Sequence, residues 1–183
     1  MTIAALWIAI LASAIAVFIV SSIVWMVLPH HKSDFKPVPD EEAARSALKG
    51  IPVGQYNLPH MADRAAMATE EGRRKMEEGP MALMIVWPNG VPNMGKQLGI
   101  WFVFCIIVSV VAAYVASRTL PSSVAFTEAF RVTGTVAWLA YGFGSVQESI
   151  WFGRPWSMTV KMLGDALAYA VATGLCFGFF WPG

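Results

Sequence analysis

Long apolar stretches alternate with one polar region along this chain. Four runs are apolar over enough residues to cross a bilayer as helices: 3–28, 98–120, 126–152 and 158–181. At about 1.5 Å per residue, each run is long enough for the roughly 30 Å hydrocarbon core of a bilayer. Backbone groups in lipid must be hydrogen-bonded within their own segment, so each run is predicted to be a transmembrane helix.

A cleaved signal peptide is the alternative interpretation of the first run. Such a peptide has an apolar part of about 7–15 residues that follows a basic start. Residues 3–28 carry no charge over 26 residues, and no Lys or Arg precedes them. We therefore expect a retained helix.

Charge is concentrated between the first two runs. Of the 25 Lys, Arg, Asp and Glu residues, 17 lie between residues 29 and 95. Charged residues make up only 14% of the chain, against about 25% in soluble domains, and the net charge of +1 argues against a nucleic-acid partner. The predicted fold class is an all-α membrane protein with four transmembrane helices in a bundle. A small α+β extramembrane unit, residues 29–95, is expected between the first two helices.

Local signals divide the polar region into elements. An acidic first turn followed by Gly50 predicts a helix at about 40–49, and "ADRAAMATEEGRRKMEEG" predicts another at about 62–78. The β-rich run "MALMIVW" predicts a strand at about 81–87, and residues 55–58 are a candidate partner strand.

Basic residues near the ends of the runs predict the orientation in the membrane. Six lie on the side of the long loop and one lies on the other side: Lys32, Lys36, Arg45, Lys96, Arg154 and Lys161 against Arg118. The positive-inside rule then places loop 29–95 in the cytoplasm.

Residues 151–181 read "WFGRPWSMTVKMLGDALAYAVATGLCFGFFW", in which a "GRPW" turn precedes a helix rich in small residues. This stretch resembles an uncharacterised family of small bacterial four-helix integral membrane proteins, a domain of unknown function. The resemblance implies a multi-pass protein of the bacterial cytoplasmic (inner) membrane. Because that family has no established activity, the resemblance transfers no functional residue.

An intramembrane polar cluster interrupts the last two runs. Lys161, Asp165 and Tyr169 recur every four residues and therefore share one helix face, and Glu148 lies at a depth where it can pair with Lys161. Ionisable groups within a membrane cost roughly 2.5–3.5 kcal/mol each on insertion scales, so they tend to be paired and functional. Two interpretations stay open: a proton or ion relay, or a structural ion pair at the interface, with Lys161 reaching the headgroups.

A second charged cluster, Arg118, Glu128 and Arg131, is expected near the opposite membrane face. Glu128 and Arg131 are three residues apart, and Arg118 is close to them across a short turn. Interfacial anchoring is the simpler interpretation. If both clusters faced one cavity, they would bracket an ion path.

Histidines in the long loop offer a metal-binding alternative. His30, His31, Asp34 and His60 are ligand types that zinc and copper prefer. No cysteine or HExxH helix accompanies them, so no cofactor is predicted, and a metal remains an alternative.

Motifs for enzyme activity are missing: there is no P-loop, GxSxG or dinucleotide-binding glycine motif. We expect a non-enzymatic membrane protein that acts by association, as an accessory subunit of a membrane complex or as a self-oligomer in the lipid bilayer. The alternative is a small proton- or ion-coupled transporter or channel that uses Glu148, Lys161 and Asp165. Metal handling through the loop histidines is a weaker alternative.

Overall fold

A computed structural model describes residues 2–182 of the chain. The chain is mostly helical, has one two-stranded sheet in the described residues, and divides into two compact units. The first, called the helical unit, contains residues 2–35 and 93–182. The second, called the loop unit, contains residues 36–92.

The elements follow one another in this order: α1 (Trp7–Met26), α2 (Glu41–Leu48), β1 (Gly54–Leu58), α3 (Arg64–Ala68), α4 (Glu70–Glu78), β2 (Ala82–Val86), α5 (Met94–Thr119), α6 (Phe126–Gly142), α7 (Gly144–Phe152) and α8 (Trp156–Phe179). Two 3₁₀ turns, Ile3–Leu6 and His30–Ser33, flank α1.

Three helices are long and apolar enough to cross a membrane: α1 with the turn before it (Ile3–Met26), α5 and α8. They correspond to the first, second and fourth apolar runs. These helices give the chain the character of a membrane protein, because such apolar lengths match the thickness of a bilayer.

The structure differs from the sequence-based expectation at the third run, predicted as one continuous helix over 126–152. Here α6 ends at Gly142 after 17 residues and α7 begins at Gly144. The amide of Val146 bonds to the carbonyl of Phe143 at 3.2 Å, three residues back, instead of four. The hydroxyl of Ser145 donates to the Gly142 carbonyl at 2.6 Å. This side chain satisfies a backbone group at the break, so the helix is interrupted there.

Four helices of the helical unit pack side by side: α1 and α6 each contact both α5 and α8. Neighbouring helices run antiparallel. On α1 and α5, for example, Ser13 meets Ser109, while Ser21 meets Trp101 two turns away. The completely buried positions are dominated by small side chains, among them Ala9, Ala14, Ala112, Ala113, Ala116, Ala129 and Ala137. Small residues let helix backbones approach closely, as in membrane helix pairs.

Glycines bring α6 and α8 into close contact. A Cβ atom placed on Gly174 would lie 2.7 Å from the ring of Phe130 and 2.8 Å from its backbone carbonyl oxygen. At the other end of the pair, a Cβ on Gly142 would lie 2.9 Å from the Cβ of Ala166. All three distances are too short for a real Cβ, so the separation of the two helices depends on these glycines.

The loop unit contains the elements that the polar region predicted, with shifted ends. β1 pairs antiparallel with β2, with Tyr56 opposite Met84, and the predicted strands at 55–58 and 81–87 overlap these bounds. The predicted helix at about 40–49 is α2, and the Asp40 side chain caps it by accepting from the Ala43 amide at 2.9 Å.

The predicted helix at about 62–78 is divided into α3 and α4 at Thr69. The backbone of Thr69 is extended, and the Thr69 hydroxyl accepts a hydrogen bond from the Gly72 amide at 3.0 Å. Thr69 therefore acts as a new N-cap, which starts a second helix inside the predicted one.

The close contact of α6 and α8 yields a stability test. Gly174→Ala forces the added methyl group against Phe130, and overpacking of this kind typically costs about 1–3 kcal/mol. We expect a lower thermal unfolding midpoint for the variant, measured on purified protein in detergent. Gly164→Ala on the same helix is the matched control, because a Cβ there meets nothing within 4 Å. Equal midpoints for the two variants would contradict the packing described.

Candidate functional site

The chain after α1 turns back against the start of α8. Pro29 precedes the 3₁₀ turn His30–Ser33, which packs on α8. Trp25, in the last turn of α1, stacks on His31 with ring centroids 3.9 Å apart and planes at 4°. The imidazole of His31 is therefore held in one orientation by the helix that precedes it.

Asp165 of α8 receives the two imidazoles. His31 Nε2 lies 2.7 Å from Asp165 Oδ2, and His30 Nε2 lies 3.0 Å from Asp165 Oδ1. His31 is 8% exposed and Asp165 is 9% exposed, so water screens these contacts poorly. The candidate ligand atoms of the three residues all lie within 4.8 Å of one another.

Asp34 holds the other side of the His31 ring. Its Oδ2 lies 2.6 Å from His31 Nδ1, and its Oδ1 accepts a hydrogen bond from the Lys161 ammonium at 2.5 Å. The hydrogen bond from Lys161, and after it the one from His31, lower the pKa of Asp34 below its ordinary value. Asp34 is therefore a carboxylate at neutral pH.

Lys161 fastens the turn to α8 through further contacts. Its ammonium donates to the backbone carbonyl of His30 at 2.6 Å and to the hydroxyl of Ser33 at 2.9 Å. Together with Asp34, these acceptors use all three N–H groups of the ammonium. We call His30, His31, Asp34, Lys161 and Asp165 the His–Asp–Lys network.

Two members of the predicted intramembrane cluster, Lys161 and Asp165, belong to this network. The expected pairing of Glu148 with Lys161 is not formed, because Glu148 forms an ion pair with Arg154. Gly153, with φ of 70°, ends α7 and turns the chain, so that the Arg154 amide bonds back to the Glu148 carbonyl at 3.3 Å. A partner six residues away thus takes the place expected for Lys161.

Tyr169, the fourth member of that cluster, lies one turn deeper on α8. It is 5% exposed and packs edge-on against Tyr141, with ring centroids 5.5 Å apart. The predicted polar face of α8 is therefore turned inward over Asp165 and Tyr169.

The second predicted cluster forms one surface pair. Arg131 donates to Glu128 at 3.0 Å, and both side chains are exposed. Arg118 lies over the ring of Tyr114, 5.7 Å from its centroid. Exposed pairs contribute about 0–1 kcal/mol, so this cluster offers no binding geometry comparable to the network.

Three of the four predicted metal ligands, His30, His31 and Asp34, meet in the network, whereas His60 belongs to the loop unit. The sequence pattern predicts that Asp165 lies with Glu148 and not with the histidines. Asp165 lies 134 residues from His31, so no local motif joins the two. A signal was nonetheless present: in a four-span topology, the turn after the first span and the start of the fourth face the same side of the membrane.

Comparison with known proteins adds no constraint: no family model, curated protein or solved structure matches the chain. The resemblance of residues 151–181 to a bacterial four-helix family stays a prediction. The chemistry of the site therefore has to be derived from its own atoms.

Proposed function

We propose that this chain is a non-enzymatic membrane protein that binds a divalent transition-metal ion, such as Zn²⁺, at one membrane surface. The ligands would be His30 Nε2, His31 Nε2 and a carboxylate oxygen of Asp165. The observation that carries the proposal is the convergence of these ligand atoms within 4.8 Å of one another. Imidazole nitrogen and carboxylate oxygen are donors that zinc binds in proteins.

The hydrogen bond between His31 and Asp34 supports the metal interpretation. A metal-binding histidine almost always donates its other ring N–H to a carboxylate, a backbone carbonyl or water. Asp34 Oδ2 lies 2.6 Å from His31 Nδ1 and would accept the N–H of that nitrogen when an ion is bound at Nε2. The ion would replace the present contact of His31 Nε2 with Asp165 Oδ2 at 2.7 Å. Lys161 in turn holds Asp34 in place. The supporting partner of the ligand is thus itself fixed.

The spacing of the ligand atoms is close to what a metal requires. A tetrahedral ion with bonds of about 2.0 Å separates neighbouring ligand atoms by about 3.3 Å. The imidazole nitrogens lie 3.0 and 2.7 Å from the Asp165 oxygens. These two contacts are to different oxygens of Asp165, and the set with one ligand atom from each residue lies within 4.8 Å. Rotations of the three side chains would have to bring these atoms to the tetrahedral spacing.

Three protein ligands leave one coordination position for water or for a transferred ligand, as in zinc sites that exchange or react. The His30 side chain is 32% exposed, which provides a route for an ion to arrive. These features support capture or handling of the metal at the surface over a purely structural site.

We also propose that all four apolar runs cross the bilayer and form a bundle. α6 runs antiparallel to α8, from Phe126 beside Gly178 to Gly142 beside Ala166. Because α8 is long and apolar enough to cross a membrane, α6 would lie at the same depth and α7 would complete the crossing. The setting proposed is the bacterial inner membrane, with loop 29–95 and the network on the cytoplasmic side.

Zinc titration of the purified full-length protein in detergent tests the metal site. We expect one equivalent of Zn²⁺ to bind. Loss of a supporting partner of a metal ligand typically costs about 10–100-fold in affinity, so His31→Gln and Asp165→Asn, which remove ligands, should cost more. Isothermal titration calorimetry measures both the number of zinc ions bound and the affinity.

His60→Gln is the matched control, because it removes the one histidine outside the proposed site. Its zinc affinity should equal that of the unmodified protein. Zinc binding that survives Asp165→Asn and disappears with His60→Gln would contradict the proposed ligand set. Circular dichroism of each variant shows whether the fold is retained.

Reporter fusions test whether α6 and α7 cross the membrane, because that crossing changes the side of the membrane on which the end of α8 lies. A periplasm-active reporter and a cytoplasm-active reporter are placed before α1, within the loop unit and after α8. Four crossings put the reporters before α1 and after α8 on one side and the loop reporter on the other. If α6 and α7 did not cross, the reporters before α1 and after α8 would fall on opposite sides.

Association with another membrane protein is a second candidate function, favoured by the exposed apolar side chains of the loop unit. Ile85 and Trp87 are each 65% exposed, and an isolated two-stranded ribbon is marginally stable in water. A partner that covers these side chains would stabilise the ribbon. Pull-down from native membranes that recovers this chain alone, as a monomer, would contradict the idea.

A further inference from the structure

One uncharged stretch ends the loop unit and leads directly into α5. All 17 charged residues of region 29–95 lie before Gly79, so residues 79–95 carry no charge. This stretch contains β2 and the short connection to α5, which begins at Met94. Because α5 is long and apolar enough to cross a membrane, the uncharged part of the loop unit is joined to a membrane-crossing helix.

One face of β2 is a row of exposed apolar side chains. Leu83 and Ile85 lie on that face, and Met81 and Trp87, one residue beyond each end of the strand, continue the alternation. Met81 is 70% exposed, and Ile85 and Trp87 are each 65% exposed, whereas Met84 on the other face is half-buried. We call Met81, Leu83, Ile85 and Trp87 the apolar row. Water contacts this row unless something outside the chain covers it.

The partner strand β1 adds uncharged polar groups to the same face. Gln55 lies opposite Ile85, and Asn57 lies opposite Leu83. Directly opposite residues of an antiparallel pair share one face of the sheet, so two amide side chains border the apolar row. Neither strand contains a charged residue. A surface that covers this face therefore has no charge to desolvate.

We propose that the apolar row inserts into the surface layer of the lipid bilayer that α5 crosses, so that lipid covers this face of the ribbon. Tryptophan favours the membrane–water interface, because its ring is apolar and its N–H reaches a hydrogen-bond acceptor. Trp87 lies at the end of the row that is nearer to α5 in the sequence. Gln55 and Asn57 would lie at the depth of the headgroups, where water and lipid oxygens accept N–H groups.

The connection to α5 is short enough for this position. Trp87 precedes Met94 by seven residues, and an extended chain spans at most about 3.3–3.6 Å per residue, so Trp87 lies within about 25 Å of the start of α5. The connection is itself apolar and uncovered, since Val91 is 96% exposed and Met94 is 65% exposed. A tether of this length keeps the bilayer at a high effective concentration beside the row. No protein partner has that advantage.

The charges of the loop unit favour apolar insertion over attraction to anionic headgroups. Residues 36–92 include seven basic and eight acidic residues, so the unit has no excess of positive charge to attract anionic lipid. The inference rests on the crossing of the bilayer by α5 and is independent of the zinc site. It assigns lipid as the cover of the ribbon, where the second candidate function assigns a protein.

Photocrosslinking from single positions identifies what covers the row. A benzophenone side chain replaces Ile85, or Met84 as the matched control on the other face, in the full-length protein in phosphatidylcholine nanodiscs. After irradiation, we expect a yield of lipid adducts at position 85 several times that at position 84, measured by intact-mass spectrometry. Equal yields would overturn the proposal. Adducts at position 85 that require added anionic lipid would also overturn it.

A probe in place of Ile107, which is 54% exposed on α5, separates this inference from the membrane insertion on which it rests. Lipid adducts at both positions 107 and 85 support the inference. Adducts at position 107 alone would overturn the inference and leave the membrane protein intact, whereas their absence at both positions would contradict both. In native membranes, a protein adduct at position 85 in place of the lipid adduct would favour the second candidate function.

Ile85→Asp and Ala82→Asp form a matched pair of substitutions that add one charge to opposite faces of β2. With the benzophenone side chain in place of Leu83, Ile85→Asp should lower the yield of lipid adducts severalfold, because a carboxylate resists transfer out of water. Ala82→Asp should leave that yield unchanged. An equal yield for the two variants would contradict insertion through the apolar row.

Discussion

The interaction on which the rest of the helical unit depends is the contact of the buried Asp165 carboxylate with the imidazoles of His30 and His31. A carboxylate within a helix apolar enough to cross a membrane is costly unless it is paired. The pairing groups come from the turn after α1, so the start of the chain is bound to its last helix.

Small residues make this contact geometrically achievable. α8 contacts both α1 and α6, and its distance from α6 is set where Gly174 faces Phe130 and Gly142 faces Ala166. The position of α8 determines where Asp165 and Lys161 meet the turn after α1. The close packing at the glycines of α8 and α6 therefore determines where the charged groups at the start of α8 lie.

The sequence predicted the features that depend on local periodicity. Apolar length predicted the helices, and β-rich composition predicted the strand at 81–87, because both signals lie within a few neighbouring residues. The break at Phe143 was missed because glycines on either side are compatible with a continuous apolar helix, and the hydroxyl of Ser145 decides the local hydrogen bonding. The division at Thr69 was missed for a similar reason, since one side chain caps a new helix.

The pairing of charges was harder to predict than the helices. Periodicity placed Lys161 and Asp165 on one helix face, but it could not show which helix lies opposite. Glu148 was the expected partner of Lys161 because it is near in sequence, whereas the structure pairs Glu148 with Arg154 and Lys161 with Asp34. Contacts between residues more than 100 positions apart in the sequence depend on which helices are neighbours in the unit. Packing of small residues determines that order, and such packing leaves only a weak signal in the sequence.

A double-mutant cycle between His31 and Asp165 tests the central interaction most directly. The free energy of unfolding in detergent is measured for the unmodified protein, His31→Ala, Asp165→Asn and the double variant. Hydrogen bonds to charged groups contribute about 1.5–3 kcal/mol, so a coupling energy of about 2 kcal/mol is expected. A coupling within about 0.5 kcal/mol of zero, as for independent sites, would show that the two residues do not interact and would contradict the account of the network.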